Sequence, residues 1–180
     1  MNSSKDPLLL AGKAIAIFMQ GAMAFGGIAL VIALVAVLVM QGTVNAEILE
    51  KTGDLQGLSP ALTIAGLMVV GLAIVAMLFF FFDKLRRIIG TVGEGDPFQP
   101  QNATRLAQMG WLMLGVQLIT LPAIPLAMNL AKFADHFENA HFTFNGGLDM
   151  SGILMAIVLF ILARVFRHGT AMREDLEGTV

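Results

Sequence analysis

The sequence predicts an all-α membrane protein: four transmembrane helices, both termini cytoplasmic, and a helical cytoplasmic hinge between spans two and three. Three observations carry that prediction. The 180 residues are 57% hydrophobic and 13% charged, with a mean hydropathy of +0.79; this is too apolar for a soluble domain and too long for a single anchor. The apolar residues gather into four runs, each close to the roughly 20 residues that cross a bilayer. The basic residues are shared unequally among the polar segments between them. No internal repeat of roughly 20 to 50 residues stands out. No polar linker divides the chain, so residues 1–180 read as a single membrane domain.

The first run, Ala14 to Met40, exceeds a signal-peptide core and lacks a tidy cleavage site, so it reads as span one. At 1.5 Å per residue it would reach roughly 40 Å, beyond the roughly 30 Å hydrocarbon core, and should tilt or protrude. Gly21, Gly26 and Gly27, with Ala22 and Ala24, form a small-residue strip suited to close helix packing. Gln41 to Ser59 carries Glu47, Glu50 and Asp54 against Lys51 and reads as an external loop. Pro60 opens span two, Ala61 to Phe82.

The hinge, residues 83–105, is densely punctuated. Leu85, Ile88, Ile89 and Val92 recur at i, i+3, i+4 and i+7, and Lys84, Arg86 and Arg87 lie off that stripe, so span two should continue as an amphipathic helix. Gly93 is placed to end it in the left-handed conformation, and Asp96 before Pro97 is pushed out of the helical region. Pro100 suits a first helical position, which makes Gln99 the cap residue. Phe98 would then staple to Ala103 or Leu106, and Asn102 would reach back to the Gln99 backbone.

Leu106 to Leu130 forms span three, with Trp111 at an interfacial position and Pro122 and Pro125 predicting a kink or unwound turn. Residues 131–149 read as a second external loop, whose Phe142 to Gly147 section alternates like a short strand. Asp149 or Ser151 can cap span four, residues 150–166, from which Arg164 must snorkel. In the tail, residues 167–180, an apolar seam of Val165, Gly169, Met172 and Leu176 is expected to pack on Leu85, Ile88, Ile89 and Val92. Arg86 and Arg87 would meet Glu174, Asp175 or Glu177 at its rim.

Orientation follows from charge. With the ends and the hinge inside, nine Lys and Arg lie inside (positions 5, 13, 84, 86, 87, 105, 164, 167, 173) and two outside (51, 132), as the positive-inside rule requires.

Two patches carry a resemblance. G-D-P-F-x-P-x-N-x-x-R-L (Gly95, Asp96, Pro97, Phe98, Pro100, Asn102, Arg105, Leu106), preceded by K-L-R-R-I-I, resembles the hinge of the bacterial DUF2975 family of small membrane proteins. The tail from Val165 to Val180, with V-F-R-x-G at Val165, Phe166, Arg167 and Gly169 and a terminal T-V, is similar to that family's end. The resemblance runs along essentially the whole chain, though only these two patches are specific. It implies a four-span bacterial protein of the cytoplasmic (inner) membrane, whose gene often neighbours that of a small helix-turn-helix regulator. It implies no established activity.

Chemistry is sparse. There is no cysteine, which removes thiolate metal sites and thiol nucleophiles together. Asp135, His136, Glu138 and His141 share one external loop, but the five-residue His spacing fits no metal motif, so solvated loop residues are the preferred reading and no cofactor or metal is assigned. Gln20 and Gln117, with Thr120 and Asn129, are intramembrane polar residues; they suit hydrogen bonds between helices better than a substrate path, since no central carboxylate or Lys accompanies them. The run G-T-V-G-E-G lacks the Lys-Ser/Thr of a phosphate loop. Nine basic against seven acidic inside residues argue against direct nucleic-acid binding, and no enzyme is expected.

The favoured function is a regulatory or scaffolding module that binds a cytoplasmic partner through Arg86, Arg87, the Gly95 to Leu106 motif, Phe166, Arg167 and Gly169. The helix-turn-helix regulator is the partner that the resemblance implies. The alternative is a small transporter or an accessory subunit of one. Bilayer lipid is a partner in either case, and a homo-oligomer stays open.

Overall fold

The computed structural model describes residues 7–52, 59–134 and 149–177. They form six helices: α1 (Pro7–Val39), α2 (Gln41–Thr52), α3 (Pro60–Gly93), α4 (Pro100–Thr120), α5 (Ala123–Ala134) and α6 (Met150–Glu177). No strand occurs among the described residues. Four stretches are long and apolar enough to cross a membrane: Pro7–Val39, Pro60–Gly93, Pro100–Ala131 and Met150–Arg173. The all-helical fold with four spans is thus the one predicted. The strand reading for Phe142 to Gly147 lies outside the described residues.

The polar segment after the first span differs from its reading as a loop. Residues 41–52 are helical, and the bonds Met40 N–H to Ala36 O (2.9 Å) and Val44 N–H to Met40 O (3.0 Å) carry the helical pattern past Met40. Gln, Ala, Glu, Leu and Lys are good helix formers whatever their polarity, so low hydropathy marks the end of the span and not of the helix.

The chain divides into two compact units. One comprises Phe25–Ala76 and Leu118–Leu148. Within it α3 begins with Pro60 at the first helical position and Ser59 as cap, whose Oγ accepts from the Leu62 N–H at 3.4 Å. Asn45 of α2 accepts from the Ala61 N–H at 3.1 Å, satisfying a second donor that a helix start leaves open. Small residues set the packing: a Cβ on Gly66 would stand 3.0 Å from Leu126 Cδ1, and one on Gly27 3.5 Å from Val75 Cγ1. Of the expected strip on span one, a Cβ at Gly21 or Gly26 would meet nothing within 4 Å. Between α4 and α5 the helix breaks at Leu121 and Pro122, where three-residue bonds (Leu121 N–H to Leu118 O, 3.3 Å; Ile124 N–H to Leu121 O, 3.2 Å) appear. Pro122 and Pro125 cannot donate to Leu118 and Leu121.

The other unit comprises Met1–Ala24, Met77–Gln117 and Asp149–Val180. Its core joins Ile88 of α3, Leu106 and Met109 of α4, and Leu159 and Ala163 of α6, with Phe81, Leu85, Val92, Met113 and Phe166 packed against them. α1 approaches α3 at Gly12, where a Cβ would lie 3.5 Å from Ile89 Cδ1.

The tail seam is corrected by one register position. Val165 and Met172 are each 55% exposed, while Leu159, Ala163 and Phe166 face α3 and α4. Ile89, expected to meet the tail seam, lies beside α1 instead. A lipid-facing helix is apolar on both sides, so a hydrophobic seam read from sequence does not separate the packed face from the lipid face.

Candidate functional site

The hinge begins with the end of α3. Gly95, at φ +85°, is the one residue with positive φ among those described. Its N–H donates to Val92 O and the Asp96 N–H to Thr91 O, both at 3.1 Å, which is the paired six-to-one and five-to-two bonding of a Schellman cap. The stop is therefore Gly95. Gly93, expected in that role, is still helical and is the last residue of α3.

α4 starts at Pro100, with the Asn102 N–H donating to Gln99 O at 2.9 Å. Asn102 is fully buried. Its carboxamide does not serve the Gln99 backbone as expected. Nδ2 donates to Thr91 Oγ1 (2.7 Å) and to Pro97 O (3.0 Å), while Oδ1 accepts from Arg105 Nη1 (2.9 Å). The Thr91 hydroxyl passes its own hydrogen to Ile88 O at 2.8 Å, and Arg105 Nη2 donates to Gln101 at 3.0 Å. One side chain thus ties the end of α3, the turn and the first two turns of α4. No buried side-chain nitrogen or oxygen among the described residues lacks a hydrogen-bond partner. A satisfied network of this kind rigidifies a connection.

Phe98 turns toward α6. Its ring centroid lies 5.5 Å from that of Phe166, and a Cβ on Gly169 would come within 2.7 Å of Phe98 Cδ1, so the glycine makes room for the ring. The contacts that fix Phe98 are thus across the hinge, in place of the local staple to Ala103 or Leu106; Leu106 lies in the core instead. The Thr170 hydroxyl sits 3.0 Å from Phe98 O and 2.9 Å from Phe166 O, donating to one or the other. Asp96 accepts from Gln99 Nε2 at 3.3 Å and pairs with Arg173.

Arg86 and Arg87 point elsewhere. Both bind Asp83 one turn back, at 3.3 and 2.8 Å, and the side chains of Glu174 and Glu177, expected as rim partners, lie outside those described. Arg167 is exposed and lines a groove with Pro100, Ala103, Thr104, Thr170 and Ala171. Gln20 is half-buried on α1. Gln117 is buried and joins the start of α6: Nε2 donates to Asp149 O at 2.8 Å and Oε1 accepts from the Asp149 N–H at 3.2 Å. Asp149 in turn caps α6, its carboxylate accepting from the Ser151 and Gly152 N–H groups at 3.0 Å each.

Sequence reasoning missed Thr91, Thr170 and Arg173. A signal for Thr170 existed: Phe166, Gly169 and Thr170 fall at i, i+3 and i+4, a face with a large residue, a gap and a hydroxyl. The loop residues Asp135, His136, Glu138 and His141 lie outside the described residues. Among the described residues no three His, Asp or Glu side chains gather as a metal site would require. What the hinge offers chemically is a rigid, hydrogen-bonded surface beside which the Arg167 guanidinium is exposed.

Four membrane-capable helices and a hydrogen-bonded hinge between the second and third define the class, an all-helical, multi-pass integral membrane protein. Within it the chain belongs to the family described as "Protein of unknown function (DUF2975)", whose family model matches residues 51–180. That match takes in the hinge, the tail and three of the four spans, and leaves α1 outside. No curated protein and no solved structure matches the chain.

Proposed function

We propose that the protein is a regulatory or scaffolding module of the bacterial inner membrane. It holds a cytoplasmic partner, the small helix-turn-helix regulator that the family resemblance implies, on its joined hinge and tail. The observation that carries this reading is the union of segments 68 residues apart into one surface: Phe98 against Phe166 and Gly169, Thr170 beside Phe98 O, and Asp96 paired with Arg173. A helix connection needs only a cap. This one is also keyed to the tail, and beside the key runs an open groove of about 320 Å³ with Arg167 and Thr104 on its walls. The positive-inside rule supports a cytoplasmic position for it. The transporter alternative has no comparable support, since Gln117 is engaged with the Asp149 backbone.

The test is affinity capture of the tagged protein from detergent-solubilised native membranes. A small DNA-binding protein should co-purify with the wild type and be lost with Arg167→Glu, a substitution at an exposed position that leaves the packing intact. Equal capture by Arg167→Glu and by a chain truncated after Gly169 would refute the reading.

A further inference from the structure

A second groove, between α3 and α4, differs from the one beside the tail. It is lined by Met77, Phe80, Lys84, Gln108, Trp111 and Leu112, with a volume of about 360 Å³. α3 runs toward the hinge and α4 away from it, so Lys84 and Gln108 lie at the same, hinge-side end. From Met77 to Lys84 is seven residues and from Leu112 to Gln108 four, which at the helical rise is a change from apolar to polar over roughly 6 to 10 Å. The groove therefore presents an ammonium and a carboxamide at one end and a thioether, a phenyl ring, an indole and a branched alkyl chain along the rest.

Lys84 is available. Its neighbours Arg86 and Arg87 are tied to Asp83, but the Lys84 ammonium has no hydrogen-bond or ion-pair partner among the described residues. The cleft beside α1 contrasts with this, because there Lys13 shares the wall with Glu94 and the charges offset. The indole is held in place from behind. Trp111 meets Phe160 edge to face at 5.3 Å, and Phe160 is seated over Gly110, where a Cβ would come within 2.9 Å of its Cε1. Trp111 nevertheless stays 67% exposed, so a fixed aromatic surface faces outward along a span.

An apolar channel parallel to two spans, with one unneutralised cation at its polar end, complements an amphiphile whose chain lies along the helices and whose head is anionic. A zwitterionic head carries its own cation and gains less from Lys84. We propose that this groove binds an anionic phospholipid, Lys84 and Gln108 contacting the phosphate and part of one acyl chain lying on Met77, Phe80, Trp111 and Leu112. The site is independent of the hinge-and-tail surface and of any partner held there.

The chain has one tryptophan, so Trp111 fluorescence reports on the groove directly. The protein is reconstituted into phosphatidylcholine vesicles with a fixed fraction of phospholipid brominated on its acyl chains, either phosphatidylglycerol or phosphatidylcholine. Brominated phosphatidylglycerol should quench as though its local concentration were roughly fivefold higher, the value of one cation near an anionic membrane surface. Lys84→Gln should bring the two lipids to parity, while Lys84→Arg and Lys13→Gln should keep the preference. Equal quenching in the wild type overturns the site, as does a preference that survives Lys84→Gln. Weak quenching by both lipids overturns it too, since a second copy seated over the groove would produce that. The wild-type comparison stands by itself if a variant fails to insert.

Discussion

Two glycines two positions apart have opposite roles. Gly95 holds φ at +85°, where a Cβ costs roughly 1 to 2 kcal/mol, and its strain-free turn allows both cap bonds to form. Gly93 lies in the last turn of α3, and a Cβ there meets nothing within 4 Å. Gly95→Ala should therefore lower stability by about 1 kcal/mol, whereas Gly93→Ala should leave it unchanged or raise it by up to about 1 kcal/mol. Thermal unfolding of the detergent-solubilised protein separates the two, and a larger loss from Gly93→Ala would return the cap to that position. Asn102 is the more severe case. Asn102→Leu keeps the branched shape but removes the donor to Pro97 O and the acceptor for Arg105, a loss of about 1 to 3 kcal/mol for buried groups left unpaired. It should exceed the loss from Gln99→Ala, whose amide, among the described residues, meets Asp96 at 3.3 Å.

Among the elements, the start of α6 rests on α4. A Cβ on Gly152 would stand 2.0 Å from Gln117 Nε2, so Gly152→Ala must displace the amide that binds Asp149 O. Gln117→Leu removes that same bond. In a double-mutant cycle the pair should be coupled by about 1 to 2 kcal/mol; additive losses would show that Gln117 does not clamp this helix. The cycle illustrates which features the sequence discloses. Number and approximate position of the spans follow from apolar runs, and the start of α4 follows from Pro100 and its neighbours, because these are local properties. The partner of Phe98 lies 68 residues away at Phe166, and no local rule predicts it. Choosing between Val165 with Met172 and Phe166 with Thr170 needs a polarity contrast between faces that a membrane helix does not supply. The helicity of α2 is hidden for the opposite reason: its polar residues signal exposure, which a surface helix and a loop share.

At the scale of the molecule, an even number of spans puts the segments before α1 and after α6 on the same side as the hinge. Which side depends on counting Lys and Arg, not net charge. The ion pairs of Arg86 and Arg87 with Asp83 are therefore immaterial to orientation, and Asp83→Asn should leave it unchanged. Replacing Lys84, Arg86 and Arg87 by Gln together would still leave six basic residues (5, 13, 105, 164, 167, 173) against two (51, 132), so this variant should also keep its orientation. Reporter fusions measure the outcome. A reporter active only in the cytoplasm should work after Gly95 and Val180 and fail after Gly53 and Asn145, in the wild type and in both variants. Activity after Gly53 would reverse the orientation. It would place the surface built from Phe98, Phe166, Gly169 and Arg167 on the outer side, where no helix-turn-helix regulator could reach it, while the lipid groove at Lys84, defined by depth and not by side, would stand.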